Sequence, residues 1–203
     1  AVRRLTTRPW EAQGTADGRD SAGMLGPPPA RIGLWILLAI LTSLFALFIT
    51  GYWMRMGHGM AHGLTHDWHP LAEPRVLWIN TVLLALGSVA MQWARVATNR
   101  DDRARARLAW WLGGAFALAF LVGQYYAWQQ LQAAGYYAAV NPANASFYLL
   151  TGVHAVHLGG GLVAWIRTAA RMARGAGLDE VRLGVELCTV YWHYLLLVWL
   201  VLF

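Results

Sequence analysis

The sequence predicts an all-α integral membrane protein, a bundle of five transmembrane helices with its N-terminus cytoplasmic and its C-terminus outside. Three observations carry this prediction. The chain holds five apolar runs of the ~20 residues that a helix needs to cross a bilayer. Its 203 residues are 58% hydrophobic and only 13% charged, against roughly one-quarter charged in ordinary soluble domains. Its basic residues also alternate between connections in the way the positive-inside rule requires.

Residues 1–30 read as a polar N-terminal tail, rich in Arg, Gly, Pro, Ala and Asp, with no apolar stretch that could form the core of a signal peptide. Such a composition stays flexible unless it lies on a partner. The transmembrane domain follows over 31–203. Its first span, about 32–54, opens after the breaker Gly26-Pro27-Pro28-Pro29 and the interfacial Arg31. The second, about 76–96, follows Pro74, and the third covers about 108–131. The fourth, about 147–166, comes after Asn141-Pro142, and the fifth covers 183–203.

All sixteen basic residues are arginine. Arg3, Arg4, Arg8, Arg19 and Arg31 precede or open the first span. Arg95, Arg100, Arg103, Arg105 and Arg107 lie between spans two and three, and Arg167, Arg171, Arg174 and Arg182 between spans four and five. The other two connections hold only Arg55 and Arg75, at their edges. The net charge of +6 is therefore a topology signal, and no nucleic-acid partner is implied. No internal repeat or second domain stands out, and the connections predict that sequential helices pack antiparallel in one bundle. Cys188 is the single cysteine; it excludes an internal disulfide and reads as a packing residue.

Four histidines, His58, His62, His66 and His69, fall after the first span. The first three are spaced by four, which would suit a metal on a helix. Gly57, Gly59 and Gly63 interrupt that helix, so a solvated outer loop is the expectation. The fourth span holds Thr151, His154 and His157 ahead of Gly159-Gly160-Gly161. The fifth holds Glu186 and His193, seven apart and hence on one helix face. Ionisable side chains inside an apolar segment need partners in the bundle.

Three arrangements of these four residues are open. They could form an interhelical hydrogen-bond cluster, with the glycines allowing close approach. They could ligate a metal, or His193 and one helix-four histidine could hold a haem from opposite sides. The hydrogen-bond cluster is favoured, because nothing supplies a further ligand set. Gln124 and Tyr125-Tyr126 in the third span read as interhelical donors. Trp35, Trp53, Trp78, Trp110, Trp111, Trp128 and Trp199 lie mostly near span ends, as an interfacial belt does. No nucleotide fingerprint, cysteine pair or nucleophile elbow occurs.

Glu186, followed by Tyr191-Trp192-His193-Tyr194 and Val198-Trp199-Leu200, resembles the closing helix of subunit III of haem-copper (cytochrome c) oxidases. Phe147-Tyr148-x2-Thr151-Gly152-x-His154-x2-His157 is similar to that family's preceding helix. Asn141-Pro142, Gln124-x3-Trp128-x2-Leu131 and Arg31-x-Gly33 also resemble bacterial members. The match runs in order through all five spans, and it looks like the shorter form that lacks the first two helices of seven-helix members.

The resemblance implies a chain with no redox centre of its own, packed on subunit I, where haems and copper reduce oxygen. It implies subunit II, small subunits, phospholipids and a respiratory supercomplex as further partners, and a bacterial inner membrane as location. It further implies that the chain supports proton uptake. The cluster of His154, His157, Glu186 and His193 matches the family residue by residue. Arg171 matches a family arginine, and with Arg31 it is a candidate for holding lipid phosphate by a bidentate contact. There are two departures: Leu41 and Thr42 stand about where the family usually has a buried glutamate, and Leu196 where it usually has aspartate. A proton-relay role that depends on those carboxylates is not carried over.

Overall fold

In a computed structural model of the chain, residues 28–61, 75–137 and 142–202 are described. They form five helices: α1 Pro29–Ala61, α2 Arg75–Asn99, α3 Arg103–Ala133, α4 Pro142–Ala173 and α5 Leu178–Leu202. All five are long and apolar enough to cross a membrane, and this is a multi-pass membrane protein. The helices outrun the apolar runs. With 33 residues, α1 is about 50 Å long at the usual rise, while the hydrocarbon layer is about 30 Å thick, so its ends leave the apolar zone.

α1 continues through Gly57 and Gly59 to Ala61, which places the backbone of His58 in a helix and not in the expected loop. A glycine costs a helix only about 1 kcal/mol, and the helix-forming Met and Ala residues around these two carry it on. His62, His66 and His69 lie outside the described residues, as does the tail up to residue 27.

The connections explain which helices are neighbours. The α2–α3 turn is tight: Asp101 takes a left-handed conformation with φ 55°, one that Asp tolerates better than most residues. Asp102 caps α3 by accepting from the Arg105 N–H at 3.0 Å. α4 closes on Gly175 at φ 84°, with Ala176 N–H reaching Arg171 O at 3.2 Å, the glycine-terminated helix end. Consequently α2 packs antiparallel on α3, and α4 on α5. The long connection after α1 imposes no such adjacency. α1 packs on α4 and α5 rather than on α2, which corrects the expectation that every sequential pair would be neighbours. α2 also packs along α5, so α5 is central, touching α1, α2 and α4.

The arginine-rich connections share one end of the bundle. Arg182 near the start of α5 lies 3.5 Å from Asp101 in the α2–α3 turn, and Arg31 at the start of α1 reaches Glu186. Between the ends the core is aromatic: Trp110, Trp192, Trp199 and Phe120 are the largest fully buried side chains. Trp110 and Trp199 are thus core residues and not part of an interfacial belt, whereas Trp35, Trp53, Trp78 and Trp111 are exposed. Trp165 stacks on Trp110 with ring centroids 6.2 Å apart and donates its indole N–H to Trp110 O at 3.0 Å. That indole lies against bare backbone at Gly114, the small-residue approach that membrane helices use in place of a hydrophobic driving force.

Candidate functional site

The polar side chains of the bundle gather along the seam between α2 and α5. The two helices run antiparallel, so residues descending α5 meet residues ascending α2. At the arginine-rich end, Glu186 Oε1 lies 3.5 Å from Arg95 Nη2. One turn deeper, the Thr189 hydroxyl is shared between Val185 O of its own helix at 2.8 Å and Met91 O of α2 at 3.1 Å. Deeper again, Ser88 Oγ and His193 Nδ1 are 2.5 Å apart. Towards the far end, Trp199 Nε1 donates to Thr81 Oγ1 at 2.9 Å. Ser88 and Arg95 are seven apart on α2, as are Glu186 and His193 on α5, so two turns of each helix present matched polar pairs.

Glu186 has a second partner. Arg31 Nη2 at the start of α1 donates to its Oε2 at 2.6 Å, giving one carboxylate between two guanidinium groups. The three side chains are partly exposed, 43% for Arg31, 37% for Arg95 and 24% for Glu186, and the triad carries one net positive charge. Glu186 stands between α1 and α2 and joins them through its two arginine partners. Further along, Thr42 of α1 hydrogen-bonds the Tyr194 hydroxyl at 3.0 Å.

The four residues expected to form one hydrogen-bonded cluster are therefore separated. Glu186 bonds to arginines, and His193 bonds to Ser88 on an exposed face. His157 Nδ1 returns to Val153 O in its own helix at 2.7 Å. His154 is fully buried and neither ring nitrogen has a hydrogen-bond partner; it packs edge-on against Phe120 at 5.8 Å and beside Trp199 at 5.3 Å. The reason is rotational. Three-residue spacing puts His154 and His157 roughly 60° apart around α4, and only His154 turns into the α3–α5 core. Among the described residues, no three His, Cys, Asp or Glu side chains come together as a metal site would require.

Gln124, fully buried on α3, accepts from Asn80 Nδ2 of α2 at 3.3 Å. Thr151 accepts from Trp128 Nε1 at 3.1 Å and donates to Phe147 O at 2.7 Å. Tyr125 and Tyr126 face outward. Arg171 lies exposed in the last turn of α4. Cys188 is buried.

Beside the Ser88–His193 pair the surface opens into a groove of about 510 Å³, lined by Ser88, Gln92, Trp93, His193 and Leu196 among others. Sequence reasoning missed Ser88, Gln92 and Arg95. The available signal was the seven-residue spacing on α2 that repeats the Glu186–His193 spacing on α5.

The family model described as cytochrome c oxidase subunit III matches residues 28–203. Cytochrome c oxidase subunit 3 of Thermostichus vulcanus is 28% identical over 197 residues, covering 95% of this chain and 93% of that protein. A probable quinol oxidase subunit 3 of Staphylococcus epidermidis is 27% identical over 192 residues, covering 93% and 91%. A heme-copper oxidase subunit I+III of Aeropyrum pernix is 26% identical over 178 residues, covering 85% of this chain and 22% of that protein.

Proposed function

The chain belongs to the cytochrome c oxidase subunit III family, and on that footing we propose that it is the non-catalytic subunit III of a proton-pumping haem-copper terminal oxidase in a bacterial inner membrane. The observation that carries this reading is the extent of the family match, 28–203, which takes in all five membrane-crossing helices. The haems and copper belong to partner chains. This chain contributes a helical surface that docks on subunit I, stabilises it and sustains proton uptake. The relative in which subunits I and III form one polypeptide supports subunit I as the main partner. Subunit II, the small subunits and a respiratory supercomplex complete the proposed surroundings.

The arginine-rich end of the bundle lies in the cytoplasm on this reading, in keeping with the positive-inside rule. Phospholipid phosphate is held there by Arg171, which is exposed, and by Arg31, whose Nε is buried without a partner. A haem held between His193 and a helix-four histidine has less support. His193 is bonded to Ser88 on the α2 side, while His154 is closed in by Phe120 and Trp199.

Co-purification in mild detergent tests the assignment. The expected result is a haem- and copper-bearing chain recovered with this one, in a complex that consumes oxygen. A bis-histidine haem band in this chain alone would overturn it. So would recovery of a catalytic chain that reduces nitric oxide and leaves oxygen untouched.

A further inference from the structure

We propose that the groove between α2 and α5, centred on His193, Ser88 and Gln92, is the seat of a transmembrane helix from the haem-bearing partner chain. This names the docking face, and it rests on the subunit reading above.

The argument starts from depth. The Arg31–Glu186–Arg95 triad sits at the arginine-rich end of the bundle. His193 and Ser88 lie seven residues further along α5 and α2, which is about 10 Å along each helix axis. That places them within the hydrocarbon layer, yet His193 and Gln92 are both exposed at the protein surface. His193 uses Nδ1 on Ser88, and Nε2 has no partner among the described residues. An imidazole nitrogen and a carboxamide facing acyl chains would leave hydrogen-bonding capacity unsatisfied in a medium with no donors or acceptors. Polar side chains at membrane depth face a protein neighbour or a water-filled cavity.

The shape agrees with a protein occupant. The groove is about 510 Å³ and has apolar and aromatic walls, Val89, Trp93 and Leu196, around its polar floor. Trp93 is 40% exposed and Val89 67% exposed. An apolar wall around a few directed hydrogen-bonding groups suits an interface core, where an aromatic side chain anchors the contact. The lateral boundary also fits. Among the described residues α1 and α2 have no extended packing on each other, and Glu186 ties them at one end. Past that tie, the groove lined by α2 and α5 lies open at the surface. The net positive charge of the triad at the groove's rim favours a partner carboxylate or helix C-terminus at that level. A lipid headgroup could satisfy the rim. Its acyl chains could not satisfy His193 two turns deeper, or Gln92 about one turn deeper, which is why the occupant is a helix bearing a hydrogen-bonding side chain at that depth.

Photo-crosslinking in the intact complex tests this. A benzophenone amino acid is placed at Val89, at Trp93, and as a control at Val122, which is 69% exposed on α3, away from the groove. The haem spectrum of the tagged complex is recorded first. If haem is absent, the subunit reading fails. With haem present, adducts from Val89 and Trp93 to the haem-bearing chain, and none from Val122, are the expected result. Adducts carrying only lipid mass, adducts to a second copy of this chain, or equal yields at all three positions would overturn the docking face while leaving the subunit reading intact.

Discussion

Ser88 and His193 face each other across the α2–α5 seam at 2.5 Å, two turns below the ion pair between Arg95 and Glu186. The two contacts belong to one register, so each supports the geometry of the other. Hydrogen bonds between membrane helices are worth roughly 0.6–2 kcal/mol. Ser88→Ala and His193→Ala should therefore each cost about 1 kcal/mol, and the double variant little more than either alone. A double-mutant cycle, read by reversible unfolding in detergent–lipid micelles, checks this. Additive losses would show that the two side chains do not interact.

The triad predicts a ranking. Glu186→Gln leaves two guanidinium groups facing each other across a neutral amide, whereas Arg95→Gln leaves the 2.6 Å contact of Arg31 with Glu186 in place. The side chains are partly exposed, so the pair energies are those of half-solvated ions and not of buried ones. We expect Glu186→Gln to cost about 1–2 kcal/mol and Arg95→Gln about 0.5 kcal/mol. The Glu186 variant should also lose protection in hydrogen exchange at the start of α1, since Arg31 ties that end of the helix to α5. Equal effects would mean that Arg31 does not depend on Glu186.

The fold class and the five helices were legible because lipid imposes a length and a composition that a run of letters displays directly. Polar partners were harder to read. Glu186 and His193 stood out as costly residues, and the obvious partners were the other conspicuous polar residues, His154 and His157. The actual partners are Ser88, Arg95 and Arg31, and two of these look like ordinary helix-end arginines. Which residues face each other across antiparallel helices depends on rotation and axial offset, and no single helix carries that information. The position of α1 was hidden for a related reason. A connection as long as the one at 62–74 does not dictate a neighbour, whereas the short turns after α2 and α4 do.

Gly114 and Gly113 are adjacent and differ in what they meet. A Cβ at Gly114 would overlap the Trp165 indole, which is fixed by its bond to Trp110 O at 3.0 Å. At Gly113 it would meet Met91 Sδ at 2.6 Å and Cγ at 2.9 Å, and methionine can move aside. Overpacking a rigid core costs about 1–3 kcal/mol. Gly114→Ala should fall in that range, and Gly113→Ala below it. Gly51→Ala, with open space around it, should gain the small helix-propensity benefit. Thermal unfolding of the three variants in one detergent gives the order. A Gly113 variant as damaged as the Gly114 variant would show that Met91 is not free to yield.

The buried amide pair tests satisfaction rather than packing. Asn80 donates to Gln124 Oε1 at 3.3 Å, while Asn80 Oδ1 and Gln124 Nε2 lack partners. Removing one amide strands the other in an apolar core, at about 1–3 kcal/mol. Removing both, with shape kept, should approach neutrality. Gln124→Leu is therefore expected to be destabilising, and Asn80→Leu combined with Gln124→Leu to recover most of the loss. Failure of the second substitution to rescue would indicate that the amides hold something besides each other.

His154 provides the sharpest contrast between the expected cluster and the observed one. In a hydrogen-bonded cluster with Glu186 and His193, His154→Leu would break a bond and lower stability by about 1 kcal/mol or more. In the structure, the ring is fully buried between Phe120 and Trp199 with both nitrogens unpartnered. An imidazole held there carries a desolvation cost that no bond offsets. A leucine of similar volume keeps the packing and removes that cost. His154→Leu should thus be neutral or stabilising by up to about 1 kcal/mol, while His193→Leu in the same background loses the Ser88 contact. Unfolding midpoints of the two variants, measured side by side, decide between the pictures. A clear loss for His154→Leu would mean that a buried water or another polar group holds the ring, and that the helix-four histidine belongs to the hydrogen-bonded framework after all.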